Sequence, residues 1–140
     1  KYCGVTFADD YPHHPAEIKV TLEAAKKMGY NRVWAVHQPF TYTRTSLLLD
    51  DFAEVLKIAD KCVISAIMGS REVNTIGIKA TDLSSKVPGS VQLDTFDEIC
   101  DYVCNNVENG DLVITLGCGD VYKVARMMCK KMKEREEAAN

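Results

Sequence analysis

The sequence contains no apolar run long enough to cross a bilayer and no signal-peptide pattern at its first residues. Basic stripes are missing too. The 17 Lys and Arg and 20 Asp and Glu are mixed along the chain for a net charge of −3, so neither nucleic acid nor membrane is an expected partner. The six cysteines, Cys3, Cys62, Cys100, Cys104, Cys118 and Cys129, lack both the paired spacing of a zinc site and the density of a disulfide scaffold. Reduced, mostly buried thiols are expected, and with them a cytoplasmic location. No GxxxxGK[ST] occurs, so the chain cannot cradle a nucleoside triphosphate in the P-loop manner alone. Internal repeats and low-complexity linkers are absent, and 140 residues make one domain with a real core. Lys1-Tyr2-Cys3-Gly4 carries no initiator methionine and leads directly into a strand, as expected of a domain cut from a longer polypeptide or of a processed product.

What the chain does have is a dense opening, Thr6 to Glu17. Val5 to Ala8 predict a short buried strand. Asp9 and Asp10 follow, then Tyr11, then His13 and His14 between Pro12 and Pro15. Pro15 suits the first turn of a helix, which puts His14 or a neighbour at the N-cap. In an open α/β sheet, ligands bind outside the carboxyl ends of the strands, so charge gathered there marks a candidate site. Ordinary turn and capping chemistry also accounts for Asp, Pro and Tyr, and both readings stand at this point.

Further along, Ala16 to Met28 carry a helical period with Ile18, Leu22, Ala25 and Met28 on one face and Gly29 as terminator. Arg32 to Val36 predict a strand, His37 to Thr45 a polar loop, and Ser46 to Ala59 one amphipathic helix. Cys62 to Ile67 predict a buried strand ending in the loop Met68 to Glu72. Thr75 to Ile78 are a candidate extra strand, Thr81 to Ser85 a helix start, and Val91 to Leu93 a short strand. A helix over Thr95 to Val107, capped by Thr95 against Glu98, precedes the Asn109-Gly110 turn and a strand over Asp111 to Leu116. Val121 to about Glu134 form the last helix, and residues from Lys130 to Asn140 read as a frayed tail. Non-alternating apolar strands separated by helices predict a three-layer α/β domain: an open, mostly parallel sheet with helices on both faces.

Four loops then converge on one edge: Asp9 to Pro15, His37 to Thr45, Met68 to Glu72, and Gly117 to Asp120. Arg44 is a planar cation suited to a carboxylate or phosphate, and at a helix start its charge opposes the helix dipole. Gly117-x-Gly119-Asp120 permits close backbone approach but lacks the third glycine of a dinucleotide fingerprint. The acid pair Asp9-Asp10 is what a phospho-receiver domain also carries. That fold needs an aspartate where Met68-Gly69-Ser70 stand and a lysine near Gly117-Cys118-Gly119, and it is rejected. Asp9, Asp10, His13 and His14 have metal-binding side chains, but adjacent histidines on a tight turn diverge, and no metal site is assigned.

Three motifs, Asp-Asp-Tyr-x-His-His-Pro at 9–15, Gln-Pro-x-x-Tyr-Thr-Arg-Thr at 38–45 and Leu-Gly-x-Gly-Asp-Val-Tyr-Lys-Val at 116–124, resemble the C-terminal domain of the Mur ligases. Arg71-Glu72 resembles a further element of that family. The match runs essentially end to end and is most similar to the branch that joins L-alanine to UDP-N-acetylmuramate. The resemblance implies a Rossmann-like third domain of an ATP-dependent peptidoglycan ligase, working through an acyl phosphate. ATP and Mg2+ would be held mainly by a central domain and UDP-N-acetylmuramate by an N-terminal one. It further implies Tyr11, His13, His14 and Arg44 on the amino-acid side, with Arg44 facing the alanine carboxylate. Asp10, Gly117, Gly119 and Asp120 would stand on the ATP side, with no catalytic residue in this fragment and no turnover by it alone. Many relatives have His-Arg where this chain has Phe40-Thr41, so contacts made by those side chains are not carried over. The alternatives are a muropeptide-recycling ligase domain and a non-catalytic α/β binding module.

Overall fold

The computed structural model describes residues 1–11 and 14–139. Its short apolar segments form strands and its 3.6-residue periods form helices. The order is β1 (Thr6–Asp10), α1 (Pro15–Lys26), β2 (Val33–His37), α2 (Tyr42–Leu47), α3 (Leu49–Leu56), β3 (Lys61–Ile64), α4 (Ala80–Ser84), β4 (Val91–Gln92), α5 (Phe96–Asn106), β5 (Leu112–Leu116) and α6 (Tyr122–Ala139). The five strands run parallel in the order β1-β5-β2-β3-β4. β5 and β2 lie in the middle and are buried throughout, which is why they read as unbroken apolar runs.

Alternate residues of each strand serve opposite cores. Val33 and Ala35 of β2 join Ile18, Leu22, Phe52, Leu56 and Leu83 under α1, α3 and α4. Trp34 and Val36 join Ile99, Val103, Val124 and Met128 under α5 and α6. The result is the expected three layers with helices on both faces.

The amino edge of the sheet is closed by one buried carboxylate. Asp111 is 0% exposed. Its Oδ2 accepts from Arg32 Nη2 at 2.7 Å, Trp34 Nε1 at 3.0 Å and the Glu108 N–H at 2.9 Å. Arg32 lies over the Trp34 ring at 5.4 Å and also donates to the Asn106 carbonyl. Burial alone would raise the Asp111 carboxyl. The hydrogen bonds from Arg32, Glu108 and Trp34 reverse that and hold it below the ordinary carboxylate value. Nearby, Asp60 accepts from the Val33 N–H at 2.7 Å and Lys26 Nζ at 2.6 Å, tying β2 to the end of α1.

Several expectations need correction. β1 is shifted to Thr6–Asp10 and is a half-exposed edge strand; of the predicted strand only Val5 is fully buried. Met28 is 66% exposed, because α1 stops at Lys26 and the chain turns through Gly29 at φ 85°. The helix expected over Ser46 to Ala59 is two helices broken at Leu48 (φ −110°, ψ 20°), and the first begins at Tyr42, inside the predicted loop. β3 ends at Ile64, and residues 75–78 form no strand. α4 starts at Ala80, its first turn held by Asp82 accepting from the Lys79 N–H. α6 continues through the segment expected to fray. Met132 is buried there, Arg135 donates to the Cys104 carbonyl at 2.7 Å, and Lys131 pairs with Asp101. All six cysteines are free, with Cys62, Cys100 and Cys104 buried. None of the described helices is long and apolar enough to cross a membrane.

Asp111→Ala leaves Trp34 Nε1, the Glu108 N–H and Arg32 without their acceptor, and is expected to cost about 3–5 kcal/mol in urea denaturation. The folded Asp111 carboxyl lies below its unfolded value, so its contribution is present above about pH 4 and is lost as pH falls further. Asp111→Asn is therefore expected to be less stable than the parent at pH 7 and to show a shallower acid limb below pH 4.

Candidate functional site

The register of the sheet brings the strand ends level. Asp10 pairs with Leu116, and Leu116 with His37, so β1, β5 and β2 finish on one line. The ladder continues into the loops. The N–H of Gln38 donates to Leu116, that of Ser65 to His37, and that of Gly117 to Asp10. Beyond β2 and β3, Phe40 bridges Met68 in parallel, with Met68 N–H donating to Pro39 and Thr41 N–H to Met68, both at 2.8 Å. The His37–Thr45 and Met68–Glu72 loops are therefore one knitted unit.

At the β1–α1 turn the side chains divide by strand alternation. Asp9 accepts from the Thr115 hydroxyl at 2.5 Å. Asp10 accepts from the Thr21 hydroxyl at 2.5 Å and from the Tyr11 N–H at 2.9 Å, so its carboxylate is anchored to α1. His14 is the N-cap of α1, with Nδ1 accepting from the Ala16 N–H at 3.1 Å and Pro15 in the first turn. An accepting Nδ1 carries no proton, which leaves Nε2–H as a donor. Tyr11 is 66% exposed and, with Asp10, Ala16, Glu17, Val20 and Thr21, lines an open groove of about 450 Å³. His13 lies outside the described residues.

Arg44 stands third in α2, at the helix start as expected. Its guanidinium lies 5.8 Å from the Phe40 ring centroid, and its charge draws the Cys118 thiol pKa down against the larger effect of burial, so it sits between the β2 and β5 loops. Among the described residues it makes no ion pair. The N-cap, Thr41, is held at φ 62°, ψ 146°, a conformation costing about 1–3 kcal/mol for a non-glycine residue. Such strain concentrates at sites where geometry matters more than local stability. Glu72 reaches across from the next loop and accepts from the Tyr42 and Thr43 N–H groups at 2.8 and 3.0 Å. Those contacts, the Thr43 N–H foremost, hold its carboxyl below the usual range.

The β5–α6 loop needs its glycines for clearance. A Cβ on Gly119 would lie 2.5 Å from Gln38 Oε1 and 3.2 Å from Met68 Cγ, and one on Gly117 3.2 Å from the Gln38 carbonyl oxygen. Gln38 Nε2 donates to Asp120 Oδ1 at 2.8 Å, fixing Asp120 against the end of β2, while Gln38 Oε1 is buried without a partner. Burial raises the Cys118 thiol, against the opposing pull of Arg44. His37 is buried on the other face, 5.4 Å from Phe52, with neither ring nitrogen hydrogen-bonded. Burial lowers it to about 4, so it is neutral at pH 7. A second cleft, of about 350 Å³, opens at the β3 and β4 ends between Tyr42, Ile67, Ile78 and Gln92.

The predicted residues that are described are thus gathered on one edge, with Arg44 close enough to the Gly117–Asp120 loop for its charge to act on Cys118. Asp10, Tyr11 and His14 occupy the neighbouring turn. Sequence reading did not assign Gln38 or Glu72 a role. The glycines at 117 and 119 pointed to a close neighbour without naming Gln38, and only the loop pairing reveals Glu72. Among the described residues, no group of three or more His, Cys, Asp or Glu could hold a metal ion.

The family description "Mur ligase, glutamate ligase domain" matches residues 1–119 of this chain. The chain belongs to the Mur ligase family. It is 47% identical over 131 residues to the UDP-N-acetylmuramate–L-alanine ligase of Lachnospira eligens, covering 91% of this chain and 28% of that protein. It therefore spans under a third of the length of the curated relative it matches. The UDP-N-acetylmuramate-alanine ligase of Thermotoga maritima superposes with a TM-score of 0.76 at 19% identity, over 95% of this chain and 28% of that one. The MurF ligase of the same organism, solved with ADP, gives 0.70 at 17% identity, over 96% and 30%. Both likenesses show the fold of this Mur ligase domain.

His37 yields a prediction for this domain. Its folded value, about 4, lies below the ordinary 6.5, so the stability tied to its neutral form is present above pH 6.5 and is lost as pH falls toward 4. His37→Leu removes two unpaired polar atoms. It is expected to melt at or above the parent temperature at pH 7 and to flatten the thermal-stability profile between pH 6.5 and 4.

Proposed function

We propose that this chain is the C-terminal, third domain of an ATP-dependent ligase that joins L-alanine to UDP-N-acetylmuramate in peptidoglycan synthesis, through an acyl phosphate. The observation that carries the reading is Arg44. It is a half-buried guanidinium on the carboxyl edge with no ion pair among the described residues, in a chain 47% identical to a relative of that name. A planar fork of donors suits the alanine carboxylate. Tyr11 and His14 stand at the neighbouring β1–α1 turn, where His14 keeps Nε2–H free of its capping bond, and with His13 they are assigned to the amino-acid side by the family motif they share.

On the nucleotide side stand Asp10, Gly117, Gly119 and Asp120. The groove between Tyr11 and Val20 offers an aromatic ring, an apolar floor and the Asp10 carboxylate, a combination that fits a nucleoside. This chain has no P-loop lysine, so ATP and Mg2+ are assigned mainly to the central domain, and UDP-N-acetylmuramate to the N-terminal one. Bound there, ATP supplies the phosphoryl group that activates the sugar's carboxylate. This domain's part is to orient the amine and to exclude water as it closes. The cytoplasm is the compartment for such an enzyme.

The test is phosphate release from ATP by the full-length polypeptide with UDP-N-acetylmuramate and, separately, L-alanine, L-serine, glycine or a tripeptide. Release that requires both the sugar and L-alanine is expected, and residues 1–140 alone are expected to release none. Arg44→Ala should raise the KM for L-alanine at least about tenfold, the value of one charge-assisted hydrogen bond. Release with the tripeptide only would make the protein a recycling ligase, and none with any amine would make this a binding module.

A further inference from the structure

We infer that Glu72 is a positioning residue for the amino-acid site, its carboxylate holding the first turn of α2 so that Arg44 faces the incoming carboxylate. The inference rests on the role given to Arg44 above. A six-residue helix is too short to be stable by itself, and α2 has no acidic residue in its own first turn. Arg44 makes matters worse, because a cation near a helix N-terminus opposes the dipole. Thr41 covers one N–H of this turn, that of Arg44 at 3.3 Å, and does so from a strained backbone.

The other two N–H groups, of Tyr42 and Thr43, are covered by Glu72 from outside the helix. The loop that carries Glu72 is itself clamped. Glu72 N–H donates to the Gly69 carbonyl at 3.0 Å, and Gly69 lies so close under the Tyr42 ring that a Cβ there would meet Cε2 at 2.6 Å. Ser70 takes up the turn at φ 58°. Both of these hydrogen bonds run to backbone, so Glu72 braces the helix that presents Arg44, and its carboxylate also attracts that guanidinium from the next loop.

The test measures kcat and the KM for L-alanine, ATP and UDP-N-acetylmuramate in the full-length polypeptide, for Glu72→Ala, Glu72→Gln, Arg44→Ala and the double variant. Glu72→Ala is expected to raise the alanine KM about tenfold with kcat within about threefold and the other two KM values unchanged, as loss of orientation at one subsite requires. Glu72→Gln keeps an oxygen that accepts both N–H groups and should restore most of the loss. Adding Glu72→Ala to Arg44→Ala should change little, because the first acts through the second. An alanine KM within about twofold of the parent in Glu72→Ala overturns the inference. So does a double variant whose losses multiply, which would make Glu72 an independent contact. Where Glu72→Ala does not fold, Glu72→Asp, too short to reach both N–H groups, takes its place with the same expectations. A parent protein without alanine-dependent release sinks the functional reading instead. Hydrogen exchange over residues 41–48 of the same polypeptide then decides the clamp, and equal exchange in the parent and Glu72→Ala overturns it.

Discussion

The pairing of β5 with both of its neighbours governs where every candidate side chain stands. Because β1, β5 and β2 are in parallel register and end level, each polar segment that follows a strand is delivered to the same edge. A slip of one residue would turn Asp10 away from Thr21 and toward the opposite layer, and would send His37 and Gln38 to each other's faces. Register is fixed at the opposite edge, where Asp111 gathers Arg32 of the β2 approach, Trp34 of β2 and the turn at Glu108 onto one carboxylate. A structural ion pair at one edge thereby sets the alignment of a candidate binding edge that it never touches.

The two edges handle charge in opposite ways. At the amino edge, charges are consumed: Asp111 and Asp60 each answer a cation and a backbone N–H, and none of those groups is left for a ligand. At the carboxyl edge, polarity is held in reserve. Arg44 lies over a ring and, among the described residues, is in no ion pair, and Gln38 keeps an unpaired oxygen. Thr41 and Ser70 hold left-handed backbone there without being glycine. Stability is concentrated where no ligand arrives, and local cost is accepted where one is proposed to.

Fold class was legible because parallel strands buried on both faces leave a plain mark, unbroken apolar runs between helical periods. Edge positions were less legible. β1 shares composition with a buried strand, and only its place at the end of the sheet leaves it half-exposed. The break at Leu48 was hidden because Leu47 and Leu48 continue the helical period of α3, although Leu47 is 80% exposed. The tail misled for the opposite reason: its composition is charged, yet Arg135, Lys131 and the buried Met132 tie it to α5. At the candidate site, motif residues announced themselves by type. Glu72 and Gln38 did not, because their importance comes from pairing between loops about thirty and eighty residues apart, which no local pattern encodes.

β4 is only two residues long, and it forms one border of the sheet. A second strand approaching there would find almost no backbone to pair with. The other border, β1, ends in Asp9 and Asp10, whose carboxylates an approaching strand would have to strip of water. Long exposed borders are the usual template for sheet-to-sheet aggregation, and short or charged ones suppress it. In a parallel sheet, slow to assemble because its contacts are distant in sequence, that protection matters most while the chain is still folding. The acids that mark the candidate site therefore also help to keep the unfinished domain from sticking to its copies.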